Sequence, residues 1–163
     1  MPTTIQLRQE IFEADSWKIA EWLDEEQVKQ YLNEGQNVSS AIKQTISRIK
    51  MPIHTHLFNR NGSFFMINKG ERPIGFLRLV CEGDVSEIVV VIGDINNWGK
   101  GFGYQAIYLG LKHAFLALGK KKVIARIHTK NERSMRVFKK AGFLKEKNLS
   151  TETQFYISPE QFV

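Results

Sequence analysis

The stretch that most restricts how this chain folds runs from Ser86 to Ala106, SEIVVVIGDINNWGKGFGYQA. It opens with the most β-branched run in the sequence, which reads as a strand over residues 86 to 93. From Tyr104 the pattern changes. Ile107, Leu111, Ala114, Phe115 and Leu118 then share one face of a helix that continues to Gly119. Between strand and helix, Gly99, Gly101 and Gly103 remove side chains where the backbone must bend, so successive N–H groups can point into one concavity at a helix N-terminus. Such a concavity favours a phosphate or pyrophosphate. A plain surface turn would use the same glycines.

Spacing separates the phosphate loops from one another. A Walker loop needs GxxxxGK followed by Ser or Thr. Here Gly99-Lys100 is followed by Gly101, which has no hydroxyl for magnesium, and Asp94 stands where the first glycine belongs. A Rossmann fingerprint needs GxGxxG and an acidic residue about 20 positions later. The order here is GxGxG, and residues 120 to 123 read Lys-Lys-Lys-Val.

The 163 residues suit one domain spanning 1–163, long enough to bury a sizeable core. The net charge of +6 points to an anionic partner, which leaves a nucleic acid, a membrane surface and a phosphorylated cofactor open. No run approaches the roughly 18 apolar residues of a membrane span, and MPTTIQLRQE lacks the basic and then apolar layout of a signal peptide. A cytoplasmic location without a membrane partner is therefore expected. The single cysteine, Cys81 in FLRLVCEGD, reads as strand packing and offers neither an internal disulfide nor a zinc ribbon.

The remaining pattern is mixed α/β. Residues 3 to 8 alternate as a half-buried strand. Asp15 reads as the cap of a helix carrying Ile19, Trp22 and Leu23, and a second helix runs from Ser40 towards Pro52. Three strands are expected at 54–60, 63–68 and 73–80, with turns at Asn61-Gly62 and Lys69-Gly70. After the glycine loop and its helix come a strand at 122–128, a helix at 131–141 stopped by Gly142, and a last strand at 153–158. Antiparallel hairpins thus precede a strand, loop, helix, strand unit.

WGKGFG followed by a helix, and about 30 residues later NERSMRVFKKAGF, resembles the GNAT superfamily of acetyl-CoA-dependent N-acetyltransferases. The family pattern is [R/Q]xxGx[G/A], then an Asn, a small residue at plus three, and Gly-Phe at the end of the next helix. Trp98 stands at the Arg/Gln position, Gly101 and Gly103 at the small positions, Asn131 and Ser134 at the next two, and Gly142-Phe143 at the end. Tryptophan in the first place is similar to the RimJ/RimL branch, which acetylates ribosomal-protein N-termini. The resemblance covers residues 73 to 143.

It implies a GNAT acyl-CoA N-acyltransferase fold, a twisted, mostly antiparallel sheet flanked by helices, with acetyl-CoA as cosubstrate. The pyrophosphate falls to the N–H groups of Gly99, Lys100, Gly101, Phe102, Gly103 and Tyr104, and the pantetheine amides to the backbone of Val91 and Ile92. Asn131 is expected to bond the cofactor as well as to cap its helix. Coenzyme A carries about four negative charges near neutrality, which accounts for a basic domain. Lys100, Lys130 and Lys139 are the lysines nearest these motifs, with solvated surface as the competing reading.

The chemistry needs a base, an oxyanion donor and a proton for the departing thiolate, because an amine with a pKa of about 10.4 arrives protonated. Glu87 is the candidate base, with Ile88 to Ile92 expected to desolvate it; a solvated edge glutamate is the alternative. A strand N–H near Val91 would serve the oxyanion. Many relatives place a tyrosine seven residues after the asparagine. Here that residue is Phe138, which keeps the packing and loses the proton, leaving Ser134 as an orienting group or water relay.

Trp17, Trp22 and Tyr31, with the neighbouring acids Glu25, Glu26 and Glu34, are expected to wall the acceptor pocket together with Glu87. Core packing explains the tryptophans equally well. His54 and His56 would share one face of a strand but have no third ligand nearby, so no metal site is expected. His113 and His128 read as structural. Two functions remain: an amine N-acetyltransferase, monomeric or homodimeric, and a GNAT-like module that binds acyl-CoA without turnover. A nucleic-acid partner is not expected, since the lysines are scattered and no reading helix is evident.

Overall fold

A computed structural model describes residues 4–30 and 38–162 of the chain. The elements, in order, are β1 (Ile5–Arg8), α1 (Glu13–Asp24), α2 (Glu26–Lys29), α3 (Val38–Arg48), α4 (Thr55–Phe58), β2 (Gly62–Lys69), β3 (Arg72–Glu82) and β4 (Val85–Ile92). A short 3₁₀ turn (Ile95–Asn97) then leads to α5 (Phe102–Lys112), which runs into a π-helical turn (His113–Ala117). β5 (Lys122–His128), α6 (Glu132–Lys140), β6 (Leu144–Asn148), β7 (Glu152–Ile157) and α7 (Pro159–Phe162) complete it. The strands form one sheet in the order β1-β2-β3-β4-β5-β7-β6. Every neighbouring pair is antiparallel except β4 and β5, which are parallel because α5 carries the chain back across the sheet between them.

Period-two alternation along the strands builds two cores. Phe64 and Met66 of β2, Phe76 of β3 and Val91 of β4 face α1 and α2, where Ile19, Trp22, Leu23 and Val28 meet them. The residues between them, among them Phe65, Ile67, Leu77 and Ile88, face Ala106, Ile107 and Leu111 of α5, together with Phe138 of α6. This is the mixed α/β architecture anticipated from the patterning.

Three local expectations are corrected. Residues 54–60 do not form a strand: Thr55–Phe58 is a helical turn. His54 there is fully buried, its Nδ1 2.8 Å from Ser16 Oγ and its Nε2 2.9 Å from Met51 O, so it ties the segment to α1. Asp15 is not the N-cap of α1. Phe12 occupies that position, and the Asp15 carboxylate, inside the first turn, accepts from the Phe12 N–H at 2.9 Å while pairing with Arg8 at 2.8 Å. The expected helix at Tyr104 starts two residues earlier, at Phe102.

β6 carries no pattern that sequence could reveal. Leu-Lys-Glu-Lys-Asn is exposed throughout, as a charged edge strand is, and it pairs only with β7. His113 is structural: its ring meets Phe65 at 4.9 Å, and burial holds its imidazole below the ordinary pKa. Among the described residues no helix is long and apolar enough to cross a membrane.

Candidate functional site

The parallel ladder between β4 and β5 is short. Val85, Ser86 and Glu87 pair with Lys122, Val123 and Ile124, and there the pairing stops. β4 continues to Ile92 with β3 on its other edge, and β5 continues to His128 with β7 on its other edge. Two buried strands that part in mid-sheet leave a cleft of about 360 Å³ between Ile88–Ile92 and Ala125–His128. Val91 and Ile92 are both on its wall.

The glycine loop closes one end. Gly99 (φ +76°) and Gly101 (φ +83°) adopt left-handed backbone that other residues rarely enter, which lets the chain reverse from β4 into α5 within a few residues. Gly101 is the N-cap of α5 and has no side chain to cap it. The first bond of this helix runs from Gln105 N–H to Gly101 O, at 3.1 Å, so the N–H groups of Phe102, Gly103 and Tyr104 precede it. The positive end of the helix dipole lies behind them, so this end of the cleft carries partial positive charge.

Trp98, immediately before these glycines, is fixed by its indole N–H, which donates to Ile92 O at 2.8 Å. Its ring also packs against the core shared with α1. Phe102 is buried in the opposite core, so its contribution to the loop is the backbone alone. Lys100 is exposed and does not line the cleft. The basic side chains that do line it are Arg126, Arg133 and Lys140, none of which was anticipated, rather than Lys100, Lys130 or Lys139. A signal for two of them was present. Arg133 and Lys140 are seven residues apart, hence on one face of a helix.

α6 supplies the opposite lip. Asn131 caps it, its Oδ1 accepting from Ser134 N–H at 3.2 Å. Ser134 lines the cleft, as does Phe138, which is buried with its ring edge-on to Phe143 at 5.1 Å. His128, the last residue of β5, also lines the cleft and accepts at Nδ1 from Lys130 N–H at 3.1 Å. It stands where β5 has already parted from β4, a position visible only once the strands are paired.

Glu87 stands at the fork, on the last rung of the β4–β5 ladder. Its surroundings are not the apolar shield expected from Ile88 to Ile92. Successive strand residues point to opposite faces, and the Glu87 side chain, 25% exposed, accepts from Arg126 Nη1 at 3.1 Å. Arg126 is steadied in turn by Gln154 Oε1 at 3.1 Å, and Gln154 Nε2 donates to Glu146 at 2.7 Å. Hydrogen bonds from Lys122 and Gln154 hold the Glu146 carboxyl below its usual pKa, which keeps the far end of this row charged.

Trp22 does not join the cleft. It is buried against Gly93, where a Cβ would come within 2.2 Å of the indole, so the ring fills space that only glycine leaves open. Its exposed edge lines a separate groove of about 390 Å³ with Lys18, Glu25 and Arg72. The wall on the α1 side comes instead from Gln27 and Val28 of α2. Tyr31 and Glu34 lie outside the described residues.

A mostly antiparallel sheet whose one parallel pair splays apart beside the N-terminus of α5 is the frame of this cleft. The acetyltransferase (GNAT) domain family matches residues 6–144, and the chain belongs to that family. No curated protein sequence matches it. Among solved structures it is similar to a spermidine N-acetyltransferase from Vibrio cholerae in complex with CoA and spermine, with a TM-score of 0.79 at 16% identity, covering 98% of both chains. It is also similar to the aminoglycoside acetyltransferase AAC(6')-Ib in complex with ribostamycin and coenzyme A, with a TM-score of 0.79 at 17% identity over 98% of this chain and 96% of that one. A domain from Methanocaldococcus jannaschii gives 0.77 at 22% identity, covering 96% of this chain and 99% of that one. These likenesses establish the fold.

Proposed function

We propose that the chain is an N-acetyltransferase of the RimJ/RimL type that transfers the acetyl group of acetyl-CoA to a primary amine by direct attack. The observation that carries this reading is the cleft between the parted strands, ending on the N–H groups of Phe102, Gly103 and Tyr104. A long, flexible substrate with an anionic end fits that arrangement: pantetheine along Val91 and Ile92, pyrophosphate at the helix terminus. The donor set matches the ligand without any metal. The relatives with CoA bound, acting on polyamines and aminoglycosides, support the cosubstrate and a cationic acceptor. A protein N-terminus, a polyamine, an aminoglycoside or another small amine each meets this description.

In the reaction the amine loses a proton and its lone pair attacks the thioester carbonyl. A C–N bond forms, the C–S bond breaks, and the second proton shed by the attacking nitrogen balances the one the departing sulfur takes up. Glu87 is assigned the base, receiving the ammonium proton directly or through water, with Arg126 holding its carboxylate at the fork. A strand N–H near Val91 stabilises the carbonyl oxygen as it gains charge. Phe138 has no proton to give, so Ser134 orients the sulfur or the water that protonates it. Ser134→Ala should lower turnover about tenfold while acetyl-CoA affinity stays within threefold; unchanged turnover removes Ser134 from the mechanism.

The apolar Phe138 also favours a second reading, a module that binds acyl-CoA without turnover. Release of free thiol from acetyl-CoA across a panel of N-terminal peptides, polyamines and aminoglycosides separates the two. Thiol release that depends on one class of amine supports the enzyme, and silence on every amine with CoA still bound supports the module.

A further inference from the structure

Arg126 stands where β4 and β5 part, and most of its donors are unused. Its Nε donates to Gln154 Oε1 and its Nη1 to Glu87 Oε1, each at 3.1 Å. Of the five N–H groups of a guanidinium this leaves three, both on Nη2 and one on Nη1, without a hydrogen-bond partner among the described residues. The side chain is 41% exposed and lines the cleft, whereas no Asp or Glu among the described residues does.

We propose that the acceptor is a free α-amino acid, whose carboxylate is taken by Arg126 while its amine faces Glu87. This rests on the acetyl-transfer reading above and narrows its acceptor to one class. The Arg126–Glu87 pair presents a full positive and a full negative charge one hydrogen bond apart. A zwitterionic amino acid carries the complementary charges, ammonium and carboxylate, on a single carbon, so both meet their opposites at once. Acetylation removes the ammonium charge and leaves an N-acetylamino acid held by its carboxylate alone, which favours release.

The guanidinium is fixed from two sides, by Gln154 on β7 and by Glu87 on β4, and its Nη2 edge is the one left for a ligand. A polyamine or an aminoglycoside brings several ammonium groups and no anion. Its second cation would meet Arg126 at the fork and no acid among the described lining residues beyond it. A peptide N-terminus keeps the ammonium but offers a neutral carbonyl where the free amino acid has a carboxylate, and so forgoes the ion pair. Val28 of α2 and Val89 of β4 line the same cleft on the face of the sheet that Glu87 occupies, which suits an apolar side chain such as that of leucine or phenylalanine.

The experiment follows thiol release from acetyl-CoA with the protein L-amino acids, each paired with its primary amide, alongside spermine, ribostamycin and a tripeptide headed by leucine. Wild type should turn over leucine or phenylalanine with a kcat/KM about 30-fold above that of the matching amide, the amide differing only in the lost charge. In Arg126→Gln the ratio of acid to amide should fall to near one, with the loss mainly in KM for the acid. The ratio is the readout because any disturbance of Glu87 by the substitution lowers both members of a pair alike. The wild-type preference needs no variant, so it tests the inference even where Arg126→Gln does not fold. If wild type uses the amides, the tripeptide, spermine or ribostamycin as well as the amino acids, or if the preference persists in Arg126→Gln, the inference fails and the acetyl-transfer reading stands. Silence on every amine overturns both.

Discussion

Gly101→Asp should abolish binding of acetyl-CoA, lowering affinity by at least 100-fold, with the chain still folded. A Cβ at position 101 meets no atom within 4 Å, so space is available. The backbone there is left-handed, at φ +83°, which Asp and Asn tolerate better than other non-glycine residues do. The new carboxylate would stand at the N-cap of α5 and compete for the N–H groups assigned to the pyrophosphate, adding repulsion to competition. Gly101→Asn separates the two effects: it imposes the same backbone and a similar shape without charge, and should retain more affinity than the aspartate. Calorimetric titration with CoA, alongside thermal unfolding, reads both. Wild-type affinity in Gly101→Asp would remove the helix-terminal loop from the cosubstrate site.

Glu87→Gln should lower kcat by about 100-fold or more, the usual contribution of a positioned general base, with the dissociation constant of acetyl-CoA within threefold. The split is informative because Glu87 sits on the last paired rung of β4, whereas the cleft walls begin one residue later. Glutamine keeps the length of the side chain and its carbonyl can still accept from Arg126, so the fork should survive. A kcat within threefold of wild type would mean that water takes the proton or that the amine arrives neutral. The Arg126–Glu87 pair would then be structural, the end of the polar row through Gln154 to Glu146.

Much of the second half of the fold was legible in residue order. The β-branched run before the glycines, the helical face from Ile107 to Phe115 and the strand at 122–128 are local signals, because each element buries one face with its own period, whereas Leu118, expected on the same face, is exposed beyond the π-helical turn. Segments that bury little were opaque. α2 and α4 are single turns, and β6 is all exposed, so neither period nor apolarity marks them. The strand expected at 54–60 failed for a tertiary reason: buried His54 bonds to Ser16, 38 residues away, and Thr55 receives the Ile11 N–H.

By itself the sequence determined the backbone half of the site. Glycines at 99 and 101 specify left-handed turns, Asn131 specifies a cap, and both are properties of a few neighbouring residues. Only the tertiary structure decided which side chains meet at the cleft. Where β4 and β5 part is set by how their outer edges pair with β3 and β7, so Arg126 and His128 become cleft residues through contacts far apart in sequence. Trp22 was drawn into the core by the space beside Gly93, and Arg133 and Lys140 were brought over Trp98 and Tyr104 by the packing of α6 on α5. Local spacing settles backbone conformation because it is a short-range property, whereas charge is placed by long side chains whose partners exist only after the helices have docked.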